Sequence, residues 1–209
     1  MSQTAAPARK PNRMPLLLMV VVFAAPVLAA WFFYLNPEYL PTTRSNKGEL
    51  IEPMVKLDTD SGLVNPDGNP FDLSQLSGRW TLVSLNRAPC EDDCRNRLTA
   101  LRQIRLALGE TRFSVERLQI LTGADDTAAL TRDFEGMHIA LAQGNAESKL
   151  LEALGKGASA LDRTYILDPM GNLMMRYQAD APAKDTLKDM ERLLKASKNW
   201  IKGAQYGHK

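Results

Sequence analysis

After Met14 the chain reads PLLLMVVVFAAPVLAAWFFYL to Leu35, with no charged residue anywhere in the run. About 21 such residues at roughly 1.5 Å each reach about 31 Å, so the pattern predicts one transmembrane helix over 14–35. Trp31, Phe32, Phe33 and Tyr34 close it, where an interfacial aromatic belt is expected. Pro26 predicts a kink of a kind that membrane helices tolerate. A cleaved export signal, cut near Val27-Leu28-Ala29, is the competing reading, but the run continues past Ala29 into bulky aromatics, which favours an uncleaved anchor.

Beyond residue 36 the pattern changes. Residues 36–65 mix prolines and charges without a sustained period and predict a tether, with Met54–Leu57 as its one short strand. From about 66 to 204 short apolar runs alternate with helical stripes. Trp80–Leu85, Val115–Leu121 and His138–Leu141 read as strands, and Arg163–Leu167 with Leu173–Tyr177 flank a turn at Asp168–Gly171. Leu98, Leu101, Ile104, Leu106 and Leu108 mark a helix that ends at Gly109. Further helices are expected at about 124–133, at Glu147–Leu154 and at Ala183–Lys202. This alternation predicts an α/β fold with helices on both faces of a central sheet. The organisation expected is a tail at 1–13, a span at 14–35, a tether at 36–65, a domain at 66–204 and a tail at 205–209.

Charge then orients the chain. The first 13 residues carry Arg9, Lys10 and Arg13 and no acid, which predicts a cytoplasmic N-terminus with everything after residue 36 across the membrane. In a bacterium that means the inner membrane, with the C-terminal domain in the periplasm, where disulfides persist. Across all 209 residues, 26 basic against 24 acidic side chains leave a net charge of +2 and no case for a nucleic-acid partner. Two cysteines and two histidines are too few for a disulfide-built scaffold or a four-cysteine zinc site.

Those two cysteines carry the candidate chemistry. Pro89-Cys90-Glu91-Asp92-Asp93-Cys94 lies between a buried strand and an amphipathic helix, which puts Cys94 in the first helical turn. There the free N–H groups and the positive dipole end stabilise a thiolate. The pair can close a disulfide, grip one soft metal ion, or serve only as a staple, although so small a closed loop contributes little stability. The acidic insert opposes thiolate formation. Arg95 follows Cys94 where covalent haem attachment needs a His, which excludes that reading. His138 is the one domain histidine that could add a metal ligand, although a lone His more often has a structural role. His208 lies near the end of the chain. Serine-hydrolase, P-loop and dinucleotide signatures are missing.

The element order resembles the thioredoxin superfamily, and more closely its Sco/SenC branch, over about residues 66–180. The resemblance rests on Asp67-Gly68, Phe71-Asp72-Leu73 and Leu76-Ser77-Gly78-Arg79-Trp80, on the spacing Cys90-xxx-Cys94, and on Asp162-Arg163-Thr164 through Asp168-Pro169-Met170-Gly171. It implies a thioredoxin-like fold and a role in cytochrome c oxidase assembly, with a respiratory oxidase subunit or its assembly factors as partners. It also implies copper on Cys90 and Cys94. The branch places its third copper ligand, a His, where this chain has Arg163, and arginine cannot ligate a metal. A thiol–disulfide reductant using Cys90 and Cys94 is therefore the leading expectation. A copper carrier with altered ligation, with His138 as the candidate added ligand, and a non-catalytic module that binds an oxidase subunit are the alternatives.

Overall fold

The computed structural model describes residues 13–36, 39, 46–57, 61–123, 127–155 and 157–206, with side chains of the last helix described as far as Ser197. The expected tail up to Asn12, much of the expected tether, and the end of the chain with His208 lie outside the described residues. Two units are present, divided between Arg44 and Ser45.

The first unit contains helix α1, Met14–Leu35. It is long and apolar enough to cross a membrane, at 22 residues or about 33 Å. Its large apolar side chains are exposed, as a lipid-facing surface requires. The helix runs through Pro26, and Asn36 closes it by donating from its side-chain amide to the Phe32 carbonyl.

The second unit is a six-stranded sheet with helices on both faces. Its strands are β1 (Glu49–Lys56), β2 (Trp80–Arg87), β3 (Val115–Thr122), β4 (His138–Ala142), β5 (Arg163–Leu167) and β6 (Asn172–Arg176). Its helices are α2 (Asp92–Ala107), α3 (Ala128–Asp133), α4 (Asn145–Ala153) and α5 (Ala183–Tyr206). The strand order is β1-β6-β5-β2-β3-β4. The pairs β2/β3 and β3/β4 are parallel, and the pairs β2/β5, β5/β6 and β6/β1 are antiparallel.

The central strands β2 and β3 are buried on both faces, which is why neither shows a clean alternation of apolar and exposed polar positions. On one face Leu82, Ile166 and Met175 pack beneath α2 and α5, with Leu121, Ile139 and Leu141 alongside them. On the other, Val83, Leu118, Tyr165 and Leu167 meet α4 and the segment that includes Phe71 and Leu76. The stripe on α2 buries Leu98, Leu101 and Ile104, but Leu106 is off that face and exposed.

The expected tether differs from what is seen. Glu49–Lys56 forms a full edge strand, longer than Met54–Leu57, and pairs with β6. Its register shifts between Leu50 and Val55, around Pro53. A proline can neither donate to a ladder nor sit in a central strand, so an edge is the place for it. The pairing depends on a partner more than a hundred residues away, which local patterning does not reveal.

A buried carboxylate pins the start of this unit to α5. Asp189, 2% exposed, accepts hydrogen bonds through Oδ2 from the backbone N–H of Lys47 at 2.7 Å and of Gly48 at 2.8 Å. The Tyr177 hydroxyl donates to the same oxygen at 3.0 Å. A side chain on Gly48 would meet the Tyr177 ring at 2.8 Å, so only glycine admits this approach.

Tyr165 gives the core a pH signature. It is fully buried and its hydroxyl donates to the Ala160 carbonyl at 2.6 Å. Burial pushes its phenol up to about 12. The folded value lies above the unfolded one, so the contribution is whole below about pH 10 and declines as pH rises towards 12, by at most about 2–3 kcal/mol. Denaturant midpoints measured across that window should fall for the parent protein and fall less for Tyr165→Phe. Identical profiles would remove Tyr165 from the account; a residual slope is expected because burial beside Asp189 raises Tyr177 as well.

Candidate functional site

The site grows from the end of β2. Ala88 donates its N–H to the Thr122 carbonyl at 2.9 Å, which holds the following loop against β3. Cys90 follows, Glu91 occupies the N-cap, and α2 begins at Asp92, so Cys94 is its third residue. The pair is joined as a disulfide with Cα atoms 5.2 Å apart. Glu91 provides no side-chain cap, which leaves the first-turn N–H groups and the positive end of α2 to favour negative charge on a nearby sulfur.

The two sulfurs are not equivalent. Cys94 is 6% exposed and packs with Leu98, Leu121 and Phe134, whereas Cys90 is half-buried. An incoming thiolate can approach Cys90, and Cys94 then departs into the first turn of α2. Glu91, Asp92 and Asp93 are all exposed, so solvent weakens their opposition to a thiolate.

Beneath the loop lies a chain of polar side chains within the sheet. Ser84 Oγ donates to Asn86 Oδ1 at 2.5 Å, and Gln119 Nε2 donates to the same oxygen at 3.2 Å. Asn86 Nδ2 donates to Asp162 Oδ1 at 3.0 Å. Asp162 holds φ at 57°, a left-handed conformation that Asp tolerates better than most residues. Half-buried Arg97, one turn after Cys94, lies within electrostatic reach of Asp162 and Asp93; burial lowers its pKa and both acids oppose that shift. Arg97 and Asp93 line a groove of about 400 Å³ whose far wall includes Thr164, Tyr177 and Gln178. The groove therefore borders Asp93, the residue before Cys94, and the segment from Tyr177 to Ala181.

The other sequence candidates lie elsewhere. Arg163 pairs with Leu85 and shares its side of the sheet with Leu85 and Tyr165. It donates to the Ser159 carbonyl and, at 2.6 Å, to Gln178 Oε1. His138 pairs with Leu118 and contacts Phe71 edge-on, on the face opposite Cys94. Four strand positions separate its level from Thr122, about 13 Å along the sheet. Its Nε2 is 3.9 Å from Glu116, and burial lowers its pKa. The structure thus joins Cys90 to Cys94 and does not bring His138 to them. Among the described residues, no group of three or more His, Cys, Asp and Glu side chains converges. Sequence reading gave no site role to Asn86, Arg97 and Asp189, and used Asp162 only as part of a family segment; the outward signal was the polar residues Ser84, Asn86 and Gln119 inside strands that are buried on both faces.

Residues 80–197, more than half of the chain, match a family model described as a transmembrane-like, thioredoxin-like, C-terminal domain. Among solved structures, the thioredoxin domain of a thiol-disulfide oxidoreductase from Bacteroides vulgatus is 17% identical with a TM-score of 0.50, over 70% of this chain and 96% of that one. A SCO1/SenC family lipoprotein from Bacillus anthracis is 17% identical with a TM-score of 0.48, over 67% and 92%. Yeast Sco1 with copper bound is 19% identical with a TM-score of 0.47, over 71% and 92%. Likeness at these identities speaks to fold alone. No curated protein matches the sequence.

Proposed function

The chain belongs to the family of transmembrane-like, thioredoxin-like C-terminal domains, and from that membership we propose that it is a membrane-anchored thiol–disulfide reductant. The observation that carries this reading is the unequal burial of a disulfide closed across the first turn of α2. The Cys90 thiolate attacks one sulfur of a client disulfide and the other client sulfur leaves as a thiolate, giving a mixed disulfide. The Cys94 thiolate then attacks Cys90 Sγ, which releases the second client thiolate and closes Cys90–Cys94. Two electrons pass to the client, and a separate dithiol donor restores the pair.

The basic N-terminal flank supports a periplasmic position for the domain, in the inner membrane of a bacterium. The Sco/SenC-like segments noted above support a client among respiratory oxidase subunits or their assembly factors. The donor set does not fit the three-ligand copper mode of that branch. Arg163 offers only donors at the third position, its guanidinium is committed to Ser159 and Gln178, and His138 lies across the sheet. Copper therefore has no step in the mechanism.

The reduction potential of Cys90–Cys94, measured on the full chain in neutral lipid discs, tests the proposal. A value between about −120 and −270 mV is expected, the range of exchange-active pairs. A value below about −300 mV would mark a structural staple and remove the reductant role.

A further inference from the structure

The redox site leaves unused a cluster of arginines at the start of β3, the end of the sheet opposite the disulfide. Arg117 is 4% exposed. Its Nη2 donates to the Glu135 carbonyl at 2.8 Å, while its buried Nε and Nη1 have no acceptor. Arg105 is held beside it, because its Nε donates at 2.6 Å to the carbonyl of Val115, two residues before Arg117. Arg102 lies one turn earlier on the same helix; it is exposed and Arg105 is half-buried. Glu116, the acid whose charge reaches Arg117, is already engaged: it binds Arg79 through Oε1, and its Oε2 lies 3.9 Å from His138.

A guanidinium carries a permanent charge and five donors. Burying one with donors unmet is costly, and placing like charges beside it adds repulsion. Burial together with Arg105 and Arg102 indeed opposes the charged form of Arg117, and Glu116 offsets only part of this. The chemical complement of such a group is an oxyanion with several acceptor oxygens.

We propose that Arg102, Arg105 and Arg117 form a binding site for a phosphate-class oxyanion. Arg102 and Arg105 make the contacts at the open side. Arg117 supplies charge from below, where low dielectric strengthens its field. The oxyanion is either a free phosphate-bearing molecule or the headgroup of an anionic lipid, and the chemistry recognised is the same in both. This proposal does not rest on the redox reading.

The test is thermal unfolding of the full chain in phosphatidylcholine discs, with inorganic phosphate replacing chloride at constant ionic strength. Phosphate should raise the midpoint by several degrees in the parent protein. The shift should vanish in the Arg102→Gln, Arg105→Gln double variant. It should also shrink in Arg117→Met, whose phosphate-free midpoint should hold or rise, because an uncompensated buried cation has been removed. Discs containing phosphatidylglycerol separate the two sources. A midpoint already raised, with no further response to phosphate, assigns the site to a lipid headgroup; an unraised midpoint with the phosphate response intact assigns it to a free oxyanion. A midpoint insensitive to both anions, or an undiminished phosphate shift in the double variant, overturns the proposal.

Discussion

Asp189→Ala should be the most damaging single substitution in the domain, lowering its stability by about 3–5 kcal/mol. Its Oδ2 accepts from two backbone N–H groups, of Lys47 and Gly48, and from the Tyr177 hydroxyl. Hydrogen bonds to a charged group are worth about 1.5–3 kcal/mol each, and a buried donor left without its acceptor suffers the full desolvation penalty. Alanine removes every acceptor at once. In a domain of this size the loss corresponds to a fall of roughly 10 °C in the unfolding midpoint. Asp189→Asn keeps one acceptor oxygen and should lose less. Chemical denaturation of both variants beside the parent checks the ordering. A loss below about 1 kcal/mol for the alanine variant would show that water replaces the carboxylate and that the contact carries little.

The second large effect concerns turnover. Cys94→Ser should form a mixed disulfide through Cys90 and then stall, because the sulfur that resolves it is gone. Cys90→Ser leaves only Cys94, 6% exposed among Leu98, Leu121 and Phe134, and should react slowly with any external disulfide. Reduction of a model disulfide by the prereduced full chain should fall at least about a hundredfold in each variant. Only Cys94→Ser should accumulate the adduct, detectable by intact mass. Accumulation on Cys94 in the Cys90→Ser variant instead would reverse the assignment of attacking and resolving sulfurs.

Much of this molecule could be read from its pattern. Apolar runs such as Trp80–Leu85 and Arg163–Leu167 announced strands because burial on both faces leaves no room for polar alternation. The charge-free run before Asn36 announced its helix by length alone. The cysteine loop was legible because its neighbours on both sides were. β1 was legible only at its end, as Met54–Leu57, since its ELIEPMVK sequence has no strong period and owes its conformation to pairing with β6. The setting of the site was also hidden. Asn86, Arg97 and Asp162 are ordinary polar residues in sequence, and only the antiparallel pairing of β2 with β5 and the seating of α2 bring them near one another. Arg163 shows the limit most plainly. Its partner Ser159 is four residues back, but Gln178 lies beyond the β5–β6 turn, an approach that no local pattern encodes.

The strand directions have a consequence for traffic around the sulfurs. β1 begins at Glu49 opposite Arg176, and Arg176 stands at the same end of the sheet as Arg163, Leu85 and the loop to Cys90. The first residues of β1 therefore lie at the same end of the sheet as the disulfide, three strands across from β2. Helix α5 leads the other way, since its Ser197 accepts from the indole N–H of Trp80 at the far end of β2. A probe attached to exposed Lys47 would therefore report on the reactive end of the sheet, and one attached to exposed Lys195 on the opposite end.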